Sequence, residues 1–203
     1  NLLGLKMKLL DFRTIFLQED AKNERSQQIL KKYPNAKVVS VKSHWNIPQL
    51  QDKDLVKKWN LVKKHILVLG KIKSLKNVDN GRSTDFIAPS HSNGCAMACT
   101  YCFVARRKGY ANPITVFTNN QEIIASIDKH VNSLPPKKRN QCDPKHWIYD
   151  IGCNSDASVD ALISNNVKDL VTYFSENKRA KGSFATKYVN RDLLNYNPRG
   201  KTR

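Results

Sequence analysis

The arrangement of apolar runs constrains this chain most. From Asp85 onward, short β-branched or aromatic runs alternate with amphipathic stretches at the spacing of βαβ units. That alternation requires a parallel sheet or barrel, because parallel strands must be joined by crossover helices. The reading places short strands at 86–88 and 146–151, an extended run at 113–118, and a strand at 182–188. Helices fall at 120–133 and 158–175, each with one apolar face, and another begins at 190–195. Before Asp85 the pattern is looser. It gives a helix over 11–33, a strand at 37–42, a basic helix over 53–64, a buried strand at 66–69, and a polar linker to about 84. The expected organisation is a basic mixed α/β region over 1–84, followed by a core domain over 85–203.

The 203 residues suffice to bury a real core, and 26% charged against 40% hydrophobic residues is a globular composition. No apolar run approaches the ~18–20 residues that span a bilayer. The first twelve residues are too short and too lysine-broken for a secretory signal, so a cytoplasmic chain with no membrane partner is expected. Thirty-five Lys and Arg face 17 Asp and Glu, a net charge of +18. Such an excess attracts polyanions, with nucleic acid or an acidic membrane surface as the usual partners. Arg106, Arg107 and Lys108, then Lys137, Lys138 and Arg139, then Lys178 and Arg179 are candidates for a phosphate-binding surface, or simply a solvated face.

Chemistry concentrates in Cys95, Cys99 and Cys102, a C-x3-C-x2-C triplet on a loop after a predicted strand. Five cysteines, three within eight residues, do not form a secreted disulfide framework. Three thiolates on one tight loop can hold three irons of a [4Fe–4S] cluster and leave the fourth open to a substrate or cofactor. Alternatively, they form a zinc site with His91 as fourth ligand, or a group of core cysteines.

The triplet, with Tyr101 before its last cysteine, resembles the radical S-adenosylmethionine signature. The segments FIAPSHSNGCAMACTYCFV, PITVFTNNQEIIASIDKHV, YDIGCNSD and FATKYVNRDLL together resemble the spore photoproduct lyase family of DNA-repair enzymes, over about residues 85–203. The resemblance implies a partial (β/α)6 barrel with the cluster loop after its first strand. It implies [4Fe–4S] ligation by Cys95, Cys99 and Cys102, and an S-adenosylmethionine site with Tyr101 near the nucleoside. Ser155, Asp156 and Lys187 would hold its methionine end. Cys153 matches the family's hydrogen-atom donor, while Phe103 stands where the lyases have a tyrosine, and the ARRKGYANP segment also differs. The activity implied is reductive cleavage of S-adenosylmethionine to a 5′-deoxyadenosyl radical, for repair of a thymine-dimer photolesion in DNA. An electron donor such as flavodoxin or ferredoxin would be needed. Rival readings are a radical enzyme acting on RNA or peptide, and a non-catalytic zinc-bound nucleic-acid module. Six βα pairs need about 180 residues, and Asp85 to Arg203 is 119. About half the barrel is therefore expected beyond the chain's end, together with the C-terminal DNA-contacting part that the resemblance implies.

Overall fold

The structure is a computed structural model that describes residues 9–104 and 107–203. Arg106 of the first basic segment and most of the N-terminal stretch lie outside them. The strands are β1 (Thr14–Gln18), β2 (Lys37–Val41), β3 (Ile66–Gly70), β4 (Val78–Asp79), β5 (Phe86–Ile87), β6 (Ser92–Asn93), β7 (Ile114–Phe117), β8 (Trp147–Asp150) and β9 (Ala180–Ser183). The helices are α1 (Glu24–Lys32), α2 (Lys53–Lys57), α3 (Trp59–His65), α4 (Asn120–Ser133), α5 (Ala157–Ile163) and α6 (Asn166–Glu176).

Two sheets form. The first has the order β2-β1-β3-β7-β6, with only the β6–β7 pair antiparallel. Its strands alternate sides, as a pleated sheet requires. Ile15, Leu17, Leu67, Leu69, Ile114 and Val116 pack one face against Ile29 of α1 and Val159 and Ile163 of α5. Phe16 and Val68 pack the other against Ile47, Leu50, Val62 and Tyr110. The sheet crosses residue 85: Leu67 of β3 pairs with Ile114 of β7.

The second sheet has the order β4-β5-β8-β9, with β5–β8 and β8–β9 parallel. From β5 the chain passes through β6, β7 and α4 to β8, and through α5 and α6 to β9, so the parallel strands of this sheet are joined by helical crossovers, as in part of a barrel. Ile123, Ile127 and Val131 of α4, with Leu170 and Phe174 of α6, close over Phe86 and Tyr149. Gly182 lets the Phe174 ring lie on the sheet, since a Cβ there would stand 2.9 Å from Cδ2.

Several sequence expectations shift, and the helix expected over 53–64 is one of them: it is α2 and α3, broken at Lys58. Residues 14–18 are a strand, not the start of a helix. TIFLQ is central in its sheet and buried on both faces, and such strands read as continuous apolar runs without alternation. The helix expected over 158–175 is two helices broken at Ser164. There the buried Asn166 gives its amide to the carbonyls of His91 and Phe117, at 3.3 and 2.8 Å. The last strand lies at 180–183 rather than 182–188, and residues 191–196 wind as a 3-10 turn. Two basic residues leave the candidate phosphate surface. Lys137 is buried on Asp85 and over the Trp147 ring, and Arg179 donates to the carbonyls of Leu134 and Pro135.

Candidate active site

The loop carrying the three cysteines is fixed at both ends. Gly94 enters it with φ +92°, and an added Cβ would meet the Pro113 carbonyl oxygen at 3.2 Å and Ile114 Cα at 3.3 Å. Only glycine takes that conformation without strain. The Gly94 N–H donates to the Asn154 carbonyl at 2.9 Å, and Gly94 bridges Ser155. The Asn154 amide donates to the Ser90 hydroxyl at 2.7 Å. These bonds bring Ser90 after β5 and Gly94 after β6 against the loop after β8, at strand C-terminal ends, where α/β folds collect ligands.

Within the loop, turns close at Cys95–Ala98 and Cys99–Cys102, the first helped by Ala98 in a left-handed conformation. The Met97 N–H points at Cys95 Sγ, 3.4 Å away, and the Val104 N–H at Cys102 Sγ, 3.5 Å away. Backbone donors of this kind stabilise thiolate ligands. Cys95, Cys99 and Cys102, all half-buried, line one cavity with Met97 and, from α3, Trp59 and Lys63. Among the described residues, no three His, Cys, Asp or Glu side chains converge as the ligands of a single ion would. Three thiols spread round a shared cavity, two of them facing backbone donors, are a donor set that fits an iron–sulfur cluster.

Burial pushes the Cys95 thiol up to about 11. Asp156 and Asp160 push the same way, against the Met97 N–H and the Lys63 ammonium. Ligation must therefore expel a proton, and cluster uptake should strengthen as pH rises. Sequence reasoning assigned nothing to Lys63, because what places it on the cavity is the docking of α3, not a motif. Its cation favours the thiolate form. Lys63→Met should shift the pH dependence of iron uptake upward, with roughly three- to tenfold weaker uptake at pH 7, the size of a ~1 kcal/mol charge interaction. Iron titrations between pH 6.5 and 9 would check this; an unmoved profile contradicts the role.

Cys153 is half-buried just beyond the end of β8, and burial, aided by the Asp150 carboxylate, raises its pKa. It is held as a thiol. Ser155 is buried beside it. Asp156 caps α5 through the N–H groups of Ser158 and Val159, and accepts from the Thr186 hydroxyl at 2.7 Å and the Lys187 N–H at 2.8 Å. The carboxylate thus ties the segment after β9 to the one after β8, with the Lys187 side chain exposed. Tyr101 and Phe103 flank Cys102 at 80% and 78% exposure, outside the thiol cavity. A hydrogen bond with Cys99 raises the Tyr101 pKa.

His91 does not line the thiol cavity. It is buried with Asp160, Nε2 to Oδ2 3.7 Å. Burial lowers its pKa to about 4 and raises that of Asp160 to about 7. His91 thus faces Asp160 and lies outside the lining of the cavity that the three thiols share.

A family model described as spore photoproduct lyase matches residues 12–203. The spore photoproduct lyase of Bacillus subtilis (strain 168) is 24% identical over 180 residues, 87% of this chain and 50% of that protein. That of Geobacillus sp. (strain Y412MC61) is 26% identical over 141 residues, 69% and 39% of the respective chains. The chain spans about half the length of these relatives or less. Among solved structures, a spore photoproduct lyase complexed with dinucleoside spore photoproduct superposes with TM-score 0.83 at 22% identity, over 97% of this chain and 56% of that one. A doubly substituted lyase with bound AdoMet and dinucleoside spore photoproduct gives 0.82 at 20%, with the same coverage. The fold is thus shared across nearly the whole chain, as a partial barrel with its preceding sheet. Among the described residues no helix is long and apolar enough to cross a membrane.

Proposed function

Because this chain belongs to the spore photoproduct lyase family, we propose that it forms the opening part of a radical S-adenosylmethionine enzyme acting on a thymine photolesion in DNA. The observation that carries the reading is the sharing of one cavity by Cys95, Cys99 and Cys102, with the Ser155–Asp156 loop bonded to its edge. A [4Fe–4S] cluster on those thiols would supply reductive cleavage of S-adenosylmethionine to a carbon-centred radical that takes hydrogen from the substrate. The chain's own residues bind, orient and quench. Asp156 Oδ2, which accepts one bond from Lys187, keeps capacity for an ammonium donor. The exposed Lys187 side chain suits a carboxylate, and the exposed Tyr101 ring offers a face to a nucleoside. Cys153, kept protonated, presents an S–H bond weak enough to return a hydrogen atom to a product radical. The electron would come from a small carrier such as flavodoxin or ferredoxin, and the +18 charge favours DNA as the partner.

The test is turnover by the full-length protein. Anaerobically reconstituted and reduced, it should convert a dinucleoside spore photoproduct to thymidine-containing product while forming 5′-deoxyadenosine. Formation of 5′-deoxyadenosine with the lesion intact would move the substrate to RNA or peptide.

A further inference from the structure

A second cavity, of about 230 Å³, shares no lining residue with the thiol cavity. On the sheet side it is lined by Thr115, in register with the core residues Val68 and Phe16 of the neighbouring strands. Its walls come from two stretches with no part in the chemistry described so far: the loop after β2, with His44 and Trp45, and the segment after the cluster loop, with Arg107 and Tyr110. Asn93, two residues before Cys95, lines it as well.

The aromatic and cationic groups here are stacked. The Arg107 guanidinium lies over the Trp45 ring at 4.9 Å and over the Tyr110 ring at 3.9 Å, and donates to the Trp45 carbonyl at 2.6 Å. The segment bearing it is clamped. Asn112 accepts from the Arg107 N–H at 2.7 Å, donates to the Arg107 carbonyl at 2.9 Å, and itself sits at φ +50°. The Ala111 N–H donates to the Leu50 carbonyl at 2.8 Å, fastening the segment to the N-terminal half. Despite these contacts Trp45 remains 62% exposed. A large aromatic ring held rigid yet left open is a stacking platform rather than core.

The polar groups are those that read a base edge. His44 Nδ1 lies 2.6 Å from Gln18 Oε1, an oxygen that also accepts from the Lys71 N–H, so Nδ1 carries the proton and Nε2 is left as an acceptor. Asn93 adds an amide that can donate and accept. Lys42 and Lys108, both exposed, flank the two wall segments with positive charge.

We infer that this cavity is a binding site for an unpaired base of a nucleic-acid strand, stacked on Trp45 and held beside the Arg107 guanidinium, next to the cysteine loop. A lesion enzyme must hold its target strand open, and aromatic stacking is how proteins hold unpaired bases without reading sequence. The inference rests on the nucleic-acid reading above and adds a site to it.

The test measures binding of the full-length protein to a 12-nucleotide oligothymidylate single strand and to its duplex with oligoadenylate, both at low salt. Trp45→Ala should weaken single-strand binding about five- to hundredfold, the range of one stacked base. Duplex binding, carried by phosphates, should change less than about twofold. Trp45→Phe should keep most of the single-strand affinity, which separates lost stacking from a damaged fold. Arg107→Ala should weaken both probes, the single strand more. Unchanged single-strand binding in Trp45→Ala would overturn the site, as would equal losses on both probes. Displacement of the strand by S-adenosylmethionine alone would also overturn it and assign the cavity to that cofactor. If the unaltered protein binds neither probe, the nucleic-acid reading of the whole chain fails, a result distinct from failure of the cavity alone.

Discussion

Replacing Cys99 with Ala should reduce the iron of the anaerobically reconstituted full-length protein from about four per chain to near none, and abolish S-adenosylmethionine cleavage with it. The effect should be this large because the three thiols are not interchangeable parts of a redundant set. Cys142 is buried elsewhere, with its Sγ donating to the Arg82 carbonyl at 3.3 Å, and Cys153 does not line the cavity. Neither lines the cavity, so neither stands in place to replace the lost ligand. Cys99 closes the turn to Cys102 through its own carbonyl, a bond that survives the substitution, so the loop should keep its course. Its thiol is half-buried, and Ala loses little packing. A variant that melts like the unaltered protein but holds no iron would separate ligation from folding. Full iron content in Cys99→Ala would remove the triplet from the account.

Cys153→Ala should have the opposite profile: iron and S-adenosylmethionine cleavage retained, repair lost or diverted. The residue follows Gly152, which packs closely on Phe184 and whose N–H is held by the Asp150 carboxylate at 2.9 Å. The backbone there is set by neighbours other than the Cys153 side chain. What the thiol contributes is chemical. Burial and Asp150 keep it protonated at neutral pH, and the O–H and N–H bonds of Asn154, Ser155 and Asp156 beside it are too strong to quench a carbon radical. In a defined dinucleotide lesion assay, clean thymidine product should fall at least tenfold, with by-products from the unquenched radical in its place. Product formed at the native rate would make Cys153 a packing residue and withdraw the hydrogen-donor role.

The candidate cluster residues can be picked from the sequence because local spacing suffices to mark a cysteine triplet, and the structure sets all three on one cavity. The helix over 120–133 was legible because its apolar face repeats at the helical period. What failed to show in the sequence depends on contacts distant along the chain. Residues 14–18 look helical next to an amphipathic α1, and only the flanking β2 and β3 make TIFLQ a central strand. Ser164 interrupts a pattern whose apolar period runs on unbroken, because Asn166 is claimed by carbonyls more than forty residues away. Lys137 reads as one cation in a basic run until Asp85 is seen buried against it. Asp156 was expected for an ammonium by resemblance, yet its carboxylate is also the cap of α5 and the tie to Thr186 and Lys187. Lys63 and Trp59 on the thiol cavity, and the Trp45–Arg107–Tyr110 stack, bring together segments that carry no motif.

On the reading proposed above, Cys95, Cys99 and Cys102 hold a cluster that serves S-adenosylmethionine. The most direct test of that reading is metal, sulfide and product analysis on one anaerobic preparation of the full-length protein, reduced with dithionite in the presence of S-adenosylmethionine. The account requires about four irons and four sulfides per chain, with 5′-deoxyadenosine and methionine formed together. Stoichiometric zinc, with no iron retained and no 5′-deoxyadenosine, would contradict it.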